Sequence, residues 1–293
     1  MRPATERDEG GIAALATAAG GVGAWGREQR VGPEHPDRRR HVELEGDRVV
    51  GYGAIWRRKD TIFGLDALVH PDLRKRGLGR RIIDRLFEDL AELGATAVEA
   101  RIDADHTAAL TFMVRRGFTE LNRLERVRLD VAAIADVPET VPPGIDIVPL
   151  GEARDPETEA ALRAILTAAF RERPIRHLEP FTETPMERFA AELDEALPDG
   201  SFIAREAGKV IGFTGLSAGP EPGTLNAFLT ATAREHRHRG IATALMNRTL
   251  AYAKQNGYRA IYSSSPNRAM QDLNEMLGFK RFAAAEIRVA RRL

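Results

Sequence analysis

Two short segments carry the residue types that could do chemistry. Arg74-Lys75-Arg76-Gly77-Leu78-Gly79 and Arg237-His238-Arg239-Gly240-Ile241-Ala242 each join basic side chains to a glycine just ahead of a helical apolar pattern. The first amides of a helix lack internal acceptors and sit at the positive end of its dipole. A loop that feeds directly into a helix is therefore an anion site. Glycine at the first turn lets the main chain approach a phosphate, and the flanking cations add charge. The predicted ligand is a pyrophosphate. In the first copy it would lie against Arg74, Lys75, Arg76, Gly77, Leu78, Gly79 and Arg80, and in the second against Arg237, His238, Arg239, Gly240, Ile241, Ala242 and Thr243. The spacing is not the dinucleotide fingerprint, because a third glycine is missing, and it is not a Walker loop.

Both loops need a strand before them and a helix after them. Leu65 to Val69 reads as a strand stopped by His70-Pro71, and Ile82, Ile83, Leu86, Phe87, Leu90 and Leu93 recur at helical spacing up to Gly94. Val98 to Ile102 is then a strand. In the second copy Ile241, Leu245, Thr249 and Tyr252 mark the helix, Gly257 its stop, and Ala260 to Ser263 the next strand. Ile145 to Val148 and Pro156 to Phe170 read as a first strand and first helix of that copy. The strand-like runs 49–55 and 210–216 and the Gly-Phe pairs at 117–118 and 278–279 complete the parallel. Gly51 and Gly212, Gly77 and Gly240, and Gly117 and Gly278 lie 161, 163 and 161 residues apart, so the chain is a duplicated α/β domain. Pro138, Pro142 and Pro143 define a connector at 138–143 between domains at 1–137 and 144–293.

Composition excludes several chemistries. With no cysteine in 293 residues there is no disulfide, thiolate metal site or cysteine nucleophile. Forty-three basic and 43 acidic side chains cancel, so nothing draws the chain globally to nucleic acid or an anionic membrane. The charged N-terminus does not read as a secretory signal, and the apolar stretch from Ile12 to Trp25 is glycine-broken and too short to span a bilayer. A cytoplasmic protein is expected. His236 and His238 lack the further ligands a metal needs, and Trp25 and Trp56 are assigned to core packing, with the lining of an acceptor pocket as the alternative.

The run Val69-His70-Pro71-Asp72-Leu73-Arg74-Lys75-Arg76-Gly77-Leu78-Gly79 resembles the acyl-CoA signature of the GNAT superfamily of N-acetyltransferases, and Arg237 to Ala242 resembles it again. The resemblance covers both halves and is strongest over 49–118 and 203–280. It implies two tandem GNAT-like domains, each a mixed β-sheet splayed between its fourth and fifth strands and flanked by helices. The donor, acetyl-CoA or another acyl-CoA, would lie in the splay. Its pantetheine would pair near Leu68 and Val69, or near Thr230, Ala231 and Thr232, with Asn267 and Asn274 alongside. The implied reaction is direct transfer of the acyl group to an amine of a small molecule or peptide, with one half free to degenerate. A homodimer is left open, and no metal, nucleic acid or membrane is implied. A non-catalytic acyl-CoA sensor or structural protein on the same fold is the alternative.

The departures concern proton transfer. The tyrosine that often protonates the leaving thiolate is replaced by Met113 in the first half and Asn274 in the second. Asp66 is the one candidate base on the strand before a loop; the second half offers nothing nearer than Asn226. The side-chain face of Asp66 is not readable, since a one-residue slip reverses it. Acceptor pockets of this fold would be built from 13–36 and 168–198.

Overall fold

The computed structural model describes residues 1–20, 37–134, 136–138, 140–172 and 193–293. The first half runs β1 (Arg2–Pro3), α1 (Glu9–Ala19), β2 (Arg39–Glu45), β3 (Arg48–Lys59), β4 (Ile62–Val69), α2 (Leu78–Glu92), β5 (Ala97–Asp103), α3 (Thr107–Arg115) and β6 (Thr119–Asp130). The second repeats the order with β7 (Ile145–Pro149), α4 (Leu150–Ala153), α5 (Pro156–Arg171), β8 (Phe202–Glu206), β9 (Lys209–Ala218), β10 (Thr224–Thr232), α6 (Ile241–Gln255), β11 (Ala260–Ser265), α7 (Arg268–Met276), β12 (Lys280–Arg281) and β13 (Glu286–Arg292). The α/β class and the strand–loop–helix setting of both basic loops follow the sequence reading.

The compact units do not follow the halves 1–137 and 144–293. Unit 1 comprises Met1–Leu121 with Ile287–Leu293, and unit 2 comprises Asn122–Glu286. The sheet of unit 1 has the order β1-β2-β3-β4-β5-β13. That of unit 2 has β7-β8-β9-β10-β11-β6, with β12 also beside β6. Each half thus gives its last long strand to the other's sheet: β6 pairs antiparallel with β11 from Ala260↔Asp130 to Ser265↔Glu125. Duplication gives both halves the same strands, but a repeat cannot say which sheet its final strand joins.

Both sheets are mixed. β2–β3–β4 and β7–β8–β9–β10 are antiparallel, while β4–β5 and β10–β11 are parallel. Amphipathic α2 packs Ile82, Ile83, Leu86 and Leu90 onto one face of the unit 1 sheet, in a core that also holds Phe63, Leu65, Val98, Phe118, Ile287 and Val289. On the opposite face α1 buries Ile12, Leu15, Ala16 and Ala19 against Val42, Tyr52, Ala54 and Leu68. In unit 2, α5 supplies Leu162 and Leu166 to a core with Ile203, Phe213, Leu229 and Ala231. The other face carries Met246 and Leu250 of α6 against Leu216, Leu225 and Ile261.

Candidate active site

The parallel strand pairs open partway along. β4 and β5 are in register from Ile62↔Ala97 to Leu65↔Ala100, yet β4 continues through Asp66, Ala67, Leu68 and Val69. Among the described residues those four pair only on their other side, where Tyr52 faces Leu68 and Gly51 faces Val69. In unit 2 the β10–β11 ladder stops at Ala227↔Ser263 while β10 runs on to Thr232, after an irregularity between Ala227 and Leu229. Each unit therefore presents the edge of its fourth strand to a wedge-shaped gap. An open strand edge offers amides and carbonyls to an extended, amide-bearing ligand.

Each wedge leads to its basic loop. Lys75 and Gly77 are both left-handed, with φ of 63° and 80°, and His238 and Gly240 repeat this at 61° and 78°. A lysine or histidine there is strained, and strain recurring at matched positions marks a constraint other than packing. At Gly77 and Gly240 the torsion itself calls for glycine; a Cβ would meet nothing within 4 Å at Gly77 and only Pro142 at 3.9 Å at Gly240. The first helical hydrogen bonds run from Arg81 N to Gly77 O (3.1 Å) and from Ala244 N to Gly240 O (2.9 Å). The amides of 75–80 and 238–243 make no hydrogen bond to a described residue. Alternating left-handed turns that expose successive amides at a helix N-terminus make an anion-binding concavity.

The cations of the two loops are used differently. Arg74 Nε donates to Val69 O at 3.3 Å and Arg74 Nη2 to Ala19 O at 3.3 Å. Arg237 Nε donates to Thr232 O at 3.1 Å, and Arg237 Nη1 pairs with Glu172 at 2.6 Å. The first arginine of each loop is thus a clamp from the loop to the end of the preceding strand, and sequence charge alone gave no sign of it. Arg74→Ala is expected to raise the KM for the donor about tenfold, the worth of a charge-assisted hydrogen bond. Steady-state kinetics alongside a thermal melt would separate that effect from unfolding. Arg239 forms a two-point pair with Glu206 at 2.6 and 3.1 Å, and His236 Nδ1 lies 3.1 Å from the same carboxylate. The Arg239 guanidinium holds the Glu206 carboxyl below the usual carboxylate range and is itself raised by it. Lys75 and Arg76 are exposed and make no ion pair with a described residue, while Arg80 reaches Asp84 at 3.5 Å. The loop of unit 1 therefore keeps more uncompensated positive charge than that of unit 2.

Asp66 is buried, at 5% exposure, and is the first residue beyond the last β4–β5 pair. It lies opposite Ala54, which packs under α1, so its side chain is on the α1 face. Counting back from the loop, its counterpart in unit 2 is Leu229, which is buried in the core under α5. Met113 is buried in the unit 1 core and carries no proton to give. Asn274 is 2% exposed and its Oδ1 has no hydrogen-bond partner among the described residues. Asn267 caps α7 through its side-chain oxygen, which accepts from Ala269 N at 2.9 Å. Thr230 Oγ1 is engaged with Thr214 Oγ1 at 2.9 Å, whereas the buried Thr232 Oγ1 has no described partner. Leu68, Leu78, Ala231 and Ile241 are core residues by side chain, Val69 packs against the core, and Gly79, Ala242 and Thr243 lie half-buried in the first turns. Trp25, and most of the predicted acceptor segments (21–36 and 173–192), lie outside the described residues.

A wedge between parallel strands, ending in an amide cradle at a helix N-terminus and repeated in two units, defines an acyl-transfer fold. Residues 23–118 and 160–279 match the acetyltransferase (GNAT) family, most of the chain; the protein belongs to that family and is an N-acetyltransferase. It is 28% identical over 247 residues to the mycothiol acetyltransferase of Pseudarthrobacter chlorophenolicus, covering 81% of this chain and 73% of that protein. It is 29% identical over 284 residues to the mycothiol acetyltransferase of Tsukamurella paurometabola, covering 93% and 92%. Among solved structures, a GCN5-related N-acetyltransferase from Sphaerobacter thermophilus superposes with a TM-score of 0.76 at 18% identity, covering 99% of this chain and 94% of that one. A tandem GNAT protein from the clavulanic acid biosynthesis pathway gives 0.68 at 19% identity, covering 99% and 97%.

Proposed function

We propose that the protein transfers an acetyl group from acetyl-CoA to a primary amine of a small molecule, with the chemistry in unit 1. One observation carries this reading. Among the described residues, unit 1 alone combines an open fourth-strand edge, an amide cradle whose cations Lys75 and Arg76 are not spent on carboxylates, and a carboxylate, Asp66, where the strands part. The donor-acceptor pattern fits acetyl-CoA on the geometry of the chain itself. The free amides of 75–80 suit a pyrophosphate, and the exposed edge at Ala67–Val69 suits the amides of a pantetheine arm. Bound acetyl-CoA supplies an activated thioester.

The chain's own contribution is then position and proton transfer. Arg74 fixes the loop to the strand end, α1 and β3 wall the acceptor side, and Asp66 takes the proton from the ammonium group so that the free amine can attack. Unit 2 has the same cradle, but Leu229 stands at the corresponding place on its strand; it serves as a second donor-binding or supporting unit. The small-molecule acceptor is supported by the mycothiol acetyltransferases that the chain resembles over most of its length.

The competing reading, an acyl-CoA sensor, is favoured by Met113 and Asn274 at the positions where a proton-donating tyrosine is usual. Turnover separates the two. Purified protein with acetyl-CoA should release free CoA thiol only when an amine is added, from a panel of aminosugars, polyamines, amino acids and peptides. Binding of acetyl-CoA without amine-dependent thiol release would instead assign the sensor role.

A further inference from the structure

The two cradles share a backbone but not a charge balance. Segment 74–80 carries Arg74, Lys75, Arg76 and Arg80, whereas 237–243 carries only Arg237 and Arg239 as full cations. Both arginines of the second cradle end on carboxylates. Arg237 Nη1 lies 2.6 Å from Glu172 Oε2, and Arg239 reaches both oxygens of Glu206 at 2.6 and 3.1 Å. The matching clamp in unit 1 uses a neutral group instead. Arg74 Nη2 donates to the carbonyl of Ala19, the last residue of α1, whereas Glu172 directly follows α5.

The Arg239–Glu206 pair has a counterpart that stays open. Glu45 and Glu206 hold the same place in their hairpins, opposite Arg48 on β3 and Lys209 on β9. Arg76 and Arg239 each stand one residue before the left-handed glycine of the loop. Yet Glu45 and Arg76 are exposed and make no ion pair with a described residue. What differs is the side chain three positions before the arginine. In unit 2 it is His236, whose Nδ1 lies 2.9 Å from Arg239 Nη1 and 3.1 Å from Glu206 Oε2. In unit 1 it is Leu73, which packs against the core and has no polar atom to bridge the two charges. The Arg239 guanidinium keeps the Glu206 carboxyl below the usual carboxylate range, so it is ionised at neutral pH.

A pyrophosphate settling on the amides of 238–243 would therefore meet two carboxylates that already hold both arginines of the loop. Like charge repels it, and each arginine must leave its partner before it can bond a phosphate. Resting on the unit 1 reading above, we propose that Glu172 and Glu206, bridged by His236, are specificity-determining residues that close the unit 2 cradle to acyl-CoA. They decide which of the two cradles takes the donor.

Calorimetric titration of acetyl-CoA into the full-length protein tests this, with Glu172→Gln/Glu206→Gln as the releasing variant. Both substitutions are nearly isosteric, and a thermal melt beside the titration reports that the variant is folded. The parent should bind one equivalent, lost in Gly77→Glu. The double variant should bind a second. In the Gly77→Glu background the same two substitutions should raise the remaining affinity at least tenfold, the scale of a regained charge-assisted hydrogen bond. Adding Gly240→Glu should remove that gain. His236→Leu, which copies unit 1, should shift affinity the same way by a smaller factor. A folded double variant that still binds one equivalent with the parent's affinity would overturn this inference and leave the unit 1 reading standing, as would a parent that already binds two. Binding and turnover unchanged in Gly77→Glu alone would remove both.

Discussion

Asp66→Asn is expected to lower kcat by about 10²–10³, the usual contribution of a positioned general base. The substitution is nearly isosteric, so the KM for acetyl-CoA and the melting temperature should hardly move. An amine attacks the thioester only as its free base, and most amines are protonated near neutral pH. Without Asp66 the enzyme must take the small fraction already deprotonated, so the variant's rate should climb with pH toward the amine's own pKa. In the parent the carboxylate performs that deprotonation on the enzyme, and the rise should be shallower. A purely structural carboxylate predicts something else: an unchanged pH profile with a lowered melting temperature. The second unit provides an internal control, since Leu229→Ala should leave kcat within a few-fold of the parent.

Removing Glu286–Leu293 is expected to abolish activity by unfolding unit 1, although the deleted residues are more than 160 positions away in sequence from its last helix. Ile287 and Val289 are 0% and 1% exposed, in the same core as Ile82, Leu86 and Phe118. Loss of one such side chain costs about 2–5 kcal/mol for isoleucine to alanine, against about 5–15 kcal/mol for a whole domain. Losing the strand also leaves the β5 edge without its neighbour and Arg116 O without the Arg291 Nη1 that donates to it at 2.8 Å. For the same reason 1–137 expressed alone should be unfolded, and 1–137 with a linked copy of 286–293 should regain structure. Far-UV and near-UV circular dichroism of the three chains would check this; a cooperative melt from 1–137 alone would refute the exchanged-strand account.

How much of this could be read from residues alone varies with the kind of feature. The two loops, their flanking elements and the duplication were legible because glycine spacing and helical periodicity are local signals; the helix expected from Pro156 ends at Arg171, and the strand expected at Ala260 ends at Ser265. The splay of the sheet came only through resemblance, and the structure shows it as the point where Leu65↔Ala100 ends the ladder. Strand exchange was not legible, since β6 and β13 have the same pattern whichever sheet they join. The face of Asp66 needed register, which sequence does not supply. Arg74 and Arg237 carry charge that reads as phosphate binding, yet their Nε atoms are committed to Val69 O and Thr232 O. Trp56, read as core packing rather than the lining of an acceptor pocket, is half-buried with its indole against Gly64 of the neighbouring strand.

The central claim is that the wedge and cradle of unit 1 hold the acyl donor, and calorimetric titration of acetyl-CoA tests it most directly. The parent should be titrated beside Gly77→Glu and Gly240→Glu, each of which puts a carboxylate, on a strained left-handed backbone, into one cradle. The account predicts that Gly77→Glu loses the donor site that supports turnover while Gly240→Glu keeps both that site and activity. Unchanged binding and turnover in Gly77→Glu, or their loss in Gly240→Glu alone, would contradict it and move the chemistry to the second unit.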